Sequence, residues 1–364
     1  ICSSANEVAR RVTKLHPEKL GFLCASEFEK LDETVFNSIH QLIYGKSKKI
    51  IPFVPRPHQE LAIEKCRSYF SSPSKNKGKV IHPCGSGKSL TAYWTAQDLK
   101  AKSVLISVPS LSLVKQTLSA WTRESLANEI KMEWIAVCSD QDVSINDDPS
   151  CQTYDLGIAV TTDPKMVSEF LSKSTENLKI VITTYQSSSV ISSAVNSINF
   201  EFDLGIFDEA HKTAGYKTKK FSHLINDENV ITRKKIFMTA TERQFKGDSS
   251  DFLSMDDPSV YGEIIDQLSF KTALEQRPQI LCDYKIITVA VTKKEIEEIL
   301  TSDELTRVNG GNYSFENDGS SIAALIALRK LTLEKSINHA ISFHSSIKRA
   351  EQFRNLNNQV NLTS

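Results

Sequence analysis

Short apolar runs rich in β-branched residues recur from residue 79 onward, at 80–81, 104–108, 134–137, 180–182, 204–207 and 236–238, and stretches with helical spacing, such as 90–99 and 111–121, lie between most of them. Runs of that length read as buried strands, whereas apolar residues three and four apart read as one side of a helix. The alternation therefore predicts a parallel sheet with helices on both faces. In such sheets ligands gather beyond the carboxyl ends of the strands, so residues that carry chemistry are expected just after each run.

One such place is Pro83-Cys84-Gly85-Ser86-Gly87-Lys88-Ser89, which follows Val80-Ile81-His82 and opens the helical stretch at Leu90. Glycines let the backbone curl until successive N–H groups face a phosphate, and the helix N-terminus adds its positive end. Lys88 can then reach the β- and γ-phosphates, and Ser89 can offer a hydroxyl to Mg²⁺. His82 stands where the G-x-x-x-x-G-K-[ST] pattern has its first glycine, so this segment alone is a weaker match than the full pattern. The second place is Asp208-Glu209-Ala210-His211, delivered by Leu204-Gly205-Ile206-Phe207. Asp208 can hold Mg²⁺, largely through its water shell, while Glu209 can orient and deprotonate an attacking water. Two acids at a strand end are by themselves ordinary turn residues. Downstream of a phosphate loop they become a strong signal, with Lys88, Asp208, Glu209 and His211 as catalytic candidates and Ser89 and Asp208 as metal ligands.

The ordered set resembles the superfamily 2 DEAH-box helicase-like ATPases and, more closely, the motors of restriction enzymes of the single-polypeptide restriction-modification type and related restriction helicases. Pro55-Arg56-Pro57-His58-Gln59 resembles the element before the phosphate loop, which implies that Arg56 and Gln59 serve the nucleotide and that Gln59 reads adenine. Val108-Pro109-Ser110-Leu111 with Gln116 resembles the first nucleic-acid motif, and Thr183-Thr184-Tyr185-Gln186-Ser187 a later one. Pro109, Ser110, Gln116, Thr184, Tyr185 and Gln186 are thereby implied to hold the sugar-phosphate backbone without reading bases. Met238-Thr239-Ala240-Thr241 resembles the motif that couples ATP state to domain closure through Thr239 and Thr241, with Glu242 where a proline is common. Cys138-Ser139-Asp140, Asp155-Leu156-Gly157, Ser254-Met255-Asp256-Asp257 and Tyr261-Gly262 fit the restriction subgroup, and Ala340-Ile341-Ser342-Phe343-His344-Ser345 resembles the opening motif of a second RecA-like domain.

The fold implied is α/β, a RecA-like parallel sheet flanked by helices, followed by a truncated second RecA-like domain. The expected segments are a connector at 1–50 after an upstream domain, a first RecA-like ATP-binding domain at 51–245, a linker or insertion at 246–282 and an incomplete second domain at 283–364. The chain opens on Ile1, as a piece of a longer protein would, and nuclease or methyltransferase domains are expected on the same full-length chain. In the family, arginines from the second domain complete the ATP site; Arg349 and Arg354 read instead as surface residues, so residues 1–364 are expected to bind ATP and hydrolyse it slowly.

Composition narrows the partners little, because 44 basic residues cancel 44 acidic ones. A nucleic-acid binder without net charge must gather its cations locally, as Lys46, Lys48 and Lys49 or Arg233, Lys234 and Lys235 can, although such short runs are more often solvated surface. Seven scattered cysteines with no C-x-x-C pair indicate neither a zinc site nor a disulfide framework, and no apolar run approaches the ~20 residues of a membrane span. A cytoplasmic protein with no membrane partner is expected. The function expected is an ATP- and Mg²⁺-dependent translocase on nucleic acid, with duplex DNA as the favoured partner. The rivals are a strand-separating RNA or DNA helicase and a nucleic-acid-binding scaffold that uses ATP with little turnover; intact Glu209 speaks against the scaffold.

Overall fold

The computed structural model describes residues 50–138, 158–216, 220–245, 252–300, 315–335 and 339–359, together with Val35. Most of the expected connector, the Lys46, Lys48 and Lys49 run, and the Ser139-Asp140 and Asp155-Leu156-Gly157 motifs lie outside the described residues. The chain divides into two compact units, Ile1–Cys282 and Asp283–Ser364.

In the first unit the strands are β1 (Lys77–Ile81), β2 (Ser103–Val108), β3 (Met132–Val137), β4 (Val160–Thr161), β5 (Leu178–Thr184), β6 (Phe202–Phe207), β7 (Gly215–Tyr216), β8 (Thr232–Thr239), β9 (Phe252–Leu253) and β10 (Glu263–Gln267). Eight of them form one sheet in the order β10-β1-β8-β6-β2-β5-β3-β4, with every neighbouring pair parallel. The crossovers carry the helices α1 (Pro57–Phe70), α2 (Lys88–Asp98), α3 (Leu111–Ala127), α4 (Pro164–Ser172) and α5 (Ser188–Ile198), of which α1 precedes β1.

Side chains along the strands alternate between two cores. Val104, Ile106, Ile180 and Ile182 face the side that holds Tyr93 of α2 and Trp121 of α3, whereas Leu105 and Val181 face the side that holds Val167 of α4 and Ile191 of α5. Both faces of the central strands are therefore dry, and each buried aliphatic side chain contributes about 1.5–3 kcal/mol. The apolar runs lack polar alternation for this reason.

Residues 252–282 fall in the stretch expected as a linker or insertion, 246–282. They lie in the first compact unit, where short helices α6 (Pro258–Tyr261) and α7 (Phe270–Glu275) flank β10, and β10 is the edge strand beside β1. Only one face of an edge strand needs to be apolar, and here Ile265 is buried while Ile264 is 43% exposed. The run Glu263-Ile264-Ile265-Asp266-Gln267 is consequently too polar to read as a core strand. The expected basic run also resolves differently: Arg233 pairs with Glu201 and Asp203, and the buried Lys235 ammonium pairs with Asp227 and donates to Ile225 O. These cations are engaged in holding β8 to its surroundings.

The second unit contains α8 (Lys293–Leu300), α9 (Phe315–Lys335) and α10 (Ile347–Gln359), packed around Ile296, Ile322, Leu325, Ile326, Phe353 and Leu356. The two apolar runs expected as strands, 284–291 and 340–343, form no ladder among the described residues; Ile286 and Ile341 are each 84% exposed. Arg349 and Arg354 are exposed on α10. No helix among the described residues is long and apolar enough to cross a membrane.

Candidate functional site

The loop between β1 and α2 bends through Gly85 (φ +83°) and Gly87 (φ +85°), conformations in which a Cβ is strained. At Gly87 a Cβ would also stand 2.6 Å from Gln59 Nε2. Four of the loop's carbonyls are gripped by side chains. His58 Nε2 lies 2.9 Å from Ser86 O, Gln59 Nε2 donates to Gly87 O at 3.2 Å, Lys88 Nζ donates to His82 O at 3.3 Å, and Trp121 Nε1 donates to Ser89 O at 3.1 Å. With these carbonyls engaged, the Lys88 and Ser89 N–H groups that open α2 are available to an anion, whereas Leu90 N–H already donates to Gly87 O.

Gln59 is fully used within the protein: its Oε1 accepts the Arg56 N–H at 2.9 Å, and its Nε2 reaches Thr91 Oγ1 at 3.3 Å as well as Gly87 O. Its observed role is to clamp the loop onto α1; the Arg56 side chain is exposed. Burial pushes the His58 imidazole below its ordinary value, so the ring is held neutral and Nε2–H donates to the loop.

The acidic box follows β6. Asp208 N–H donates to Ser107 O at 2.9 Å, and Asp208 O accepts the Tyr185 hydroxyl at 2.8 Å. Glu209 adopts a left-handed conformation (φ +48°), a strain of about 1–3 kcal/mol that is characteristic of functional turns. Its Oε1 comes within 3.9 Å of Lys88 Nζ, so loop and box converge across β8. His211 Nδ1 lies 3.0 Å from Thr239 Oγ1 and 3.4 Å from Glu209 Oε2. Thr239 commits its own hydroxyl proton to Thr241 O, so His211 Nδ1 carries the donated hydrogen. The hydrogen bond from His211, aided by the Lys88 charge, holds the Glu209 carboxyl below the usual carboxylate range. Burial, then the neighbouring Glu209, raises that of Asp208, a site that a cation would favour. Ser89 Oγ is buried without a hydrogen-bond partner among the described residues, as suits a hydroxyl reserved for a metal ion. Glu242, the departure from proline, is explained by its ion pair with the buried Lys79 of β1.

The residues expected on a nucleic-acid track separate. Because β2 and β5 are neighbours, the loops that follow them lie side by side. Ser110, the partly exposed N-cap residue of α3, makes no side-chain capping bond and has its Oγ 3.0 Å from Ser112 Oγ, and Gln116 is exposed on that helix; Pro109 and Thr184 are buried. Tyr185 is a correction: it is 0% exposed, its ring stacks on Phe221 and its hydroxyl holds the acidic box, so it has no face to offer a nucleic acid. The Gln186 carboxamide is buried with neither oxygen nor nitrogen partnered among the described residues. Sequence reading missed the contributions of His58, Trp121 and Asp266. A histidine buried in place of a glycine was the one available hint, since it requires a polar partner somewhere else in the chain.

Comparison with known proteins gives the same picture. Proteins of African swine fever virus named "Probable helicase A859L" are 31% identical over 162 residues, 44% of this chain and 16% of theirs. Among solved structures, the ATP-dependent Type ISP restriction-modification enzyme LlaBIII bound to DNA is 27% identical with a TM-score of 0.64, over 86% of this chain and 22% of that one. A nuclease-deletion mutant of the Type ISP enzyme LlaGI, in complex with a DNA substrate mimic, is 32% identical with a TM-score of 0.51, over 64% and 18%. The chain thus spans less than a quarter of the length of these relatives. The family model for the type III restriction enzyme, res subunit, matches residues 52–244, more than half of the chain and the whole of the loop and box, and the chain belongs to that family.

Proposed function

We propose that the chain is the motor part of a restriction-type system, an ATPase that uses hydrolysis to move along duplex DNA. The observation that carries the reading is the convergence of Lys88 and Glu209 at 3.9 Å, beside a loop that side chains hold by the carbonyls of His82, Ser86, Gly87 and Ser89. Lys88 and the N–H groups of the loop bind and orient the phosphates of ATP. Glu209, ionised and aimed by His211, takes the proton of the attacking water. Ser89 and Asp208 would hold Mg²⁺, which neutralises charge on the phosphates when bound. His211 touches Thr239, so the box is in direct contact with the segment implied to couple nucleotide state to closure. The partly exposed Ser110 and the exposed Gln116 support phosphate contact without base readout. The DNA-bound state of the LlaBIII and LlaGI structures favours DNA as the partner. The viral proteins' description as probable helicases favours strand separation as the second reading.

The test is ATP turnover of the full-length protein titrated with duplex DNA, single strands and RNA. Duplex DNA is expected to stimulate most, with binding that weakens steeply in salt. Stimulation by RNA alone would overturn the proposal.

A further inference from the structure

Behind the phosphate loop lies a buried ionic cluster that ATP binding does not itself use. His82 is 0% exposed, and its Nε2 is 2.7 Å from Asp266 Oδ2; its Nδ1 has no hydrogen-bond partner among the described residues. Asp266 is therefore the ring's polar anchor. The carboxylate is 5% exposed and is reached from α1 by Lys65 at 2.6 Å. Burial opposes its ionisation, yet the hydrogen bonds from His82 and Lys65 hold it below the usual range, so it anchors as a charged acceptor.

Both ends of this cluster are fixed. On one side, β10 is seated against β1 with Lys79 opposite Ile264 and Val80 opposite Asp266. Gly262, at φ +69°, enters that pairing so closely that a Cβ would stand 1.8 Å from Lys77 O. On the other side, the His82 N–H donates to Thr239 O at 2.9 Å, and its carbonyl accepts the Lys88 ammonium at 3.3 Å. A glycine at this position would leave the backbone free to rotate, whereas a tethered imidazole restricts it.

Building on the ATP-site reading, we infer that Asp266 is a positioning residue: through His82 it fixes the loop carbonyl on which Lys88 rests, making the edge strand β10 part of the nucleotide site. The chain replaces the permissive first glycine of the phosphate-loop pattern with a histidine and supplies the acid that holds it from the far end of the unit. Partners of this kind, one step removed from the reacting groups, carry about 10–100-fold in affinity or activity at metal sites.

A double-mutant cycle on the full-length protein tests this, with the affinity for a fluorescent ATP analogue as the readout and the thermal midpoint recorded beside it. Asp266→Ala is expected to weaken ATP binding about tenfold or more. Asp266→Asn, which keeps the volume and an acceptor, is expected to lose less and carries the cycle if the alanine variant does not fold. In a His82→Gly background the same replacements are expected to change affinity about twofold or less, because the ring they acted through is gone. Equal losses in both backgrounds would place the effect in the stability of the edge strand and overturn the inference, as would an unchanged affinity with His82 present. Lys88→Ala, measured in parallel, separates the two readings. Unchanged ATP affinity in that variant removes the ATP site itself, whereas loss there without coupling between positions 82 and 266 removes only the positioning role.

Discussion

The phosphate loop and the acidic box face each other, but they are built on opposite plans. The loop is held from outside by His58, Gln59 and Trp121, each gripping a backbone carbonyl, so its shape is set and the Lys88 and Ser89 N–H groups are left to a ligand. The box is held through its backbone by Ser107 and Tyr185 at Asp208 and by its own turn at Glu209 and Ala210, and what its surroundings adjust is charge: burial and Glu209 raise Asp208, while His211 and Lys88 lower Glu209. The difference separates the two tasks of a phosphoryl-transfer site. One half supplies geometry for binding, and the other supplies protonation states for chemistry.

If this division holds, the two halves fail in different ways. The largest effect is expected for Glu209→Gln, which keeps the side chain's size but removes the base. Turnover should fall by about 10²–10⁴-fold while ATP affinity stays near that of the parent. Parental turnover in this variant would assign the base to another group. Lys88→Ala is expected to do the reverse, weakening nucleotide binding by about 10²-fold or more, as truncation of a buried charge that contacts phosphate does. Equilibrium titration with the nucleotide, scored before turnover, would show which half has failed.

The smallest effect sharpens the comparison through pH. With His211 present the Glu209 carboxyl titrates low, so it stays ionised as the pH falls. Without that hydrogen bond its pKa returns toward the ordinary carboxylate range, and protonation begins at a higher pH. His211→Ala should therefore move the acid limb of the turnover profile upward, with a milder loss on the alkaline plateau. A limb that stays in place would mean that Lys88 and the remaining charges are enough to hold the base.

Much of this was legible in the sequence, and what was not has definite physical causes. The central strands announce themselves because both their faces are dry, as Ile180, Val181 and Ile182 show. β10 does not, because this edge strand sends only Ile265 into the apolar core and gives its other buried position to the charged Asp266. Lys88, Ser89, Asp208, Glu209 and His211 could be picked out because local spacing places them after strands. The partners that tune them, His82 with Asp266 and Tyr185 with Asp208, join residues far apart in sequence, and no short pattern records such a pairing. Tyr185 also shows that a motif position can serve the neighbouring motif's backbone. In the second unit the same apolar signal stands at 284–291 and 340–343 with no ladder among the described residues, since a run of Ile and Val specifies a demand for burial and a strand exists only where another strand meets it.

The strand order carries a consequence for how the molecule comes into being. β1 pairs only with β8 and β10, so Lys77 meets Lys235 and Gly78 meets Glu263. In chain order β1 precedes every other strand of the sheet, and in a synthesis that folds strands as they emerge its edges would stay unpaired while β2 to β6 assemble beside one another. Only the late arrival of β8 can slide β1 into register and bring the loop up to the box. Domains of this order are exposed to aggregation for as long as that wait lasts, and the polar residues of β1, Lys77 and Lys79, are the kind that keep a solitary edge soluble until its neighbours are made.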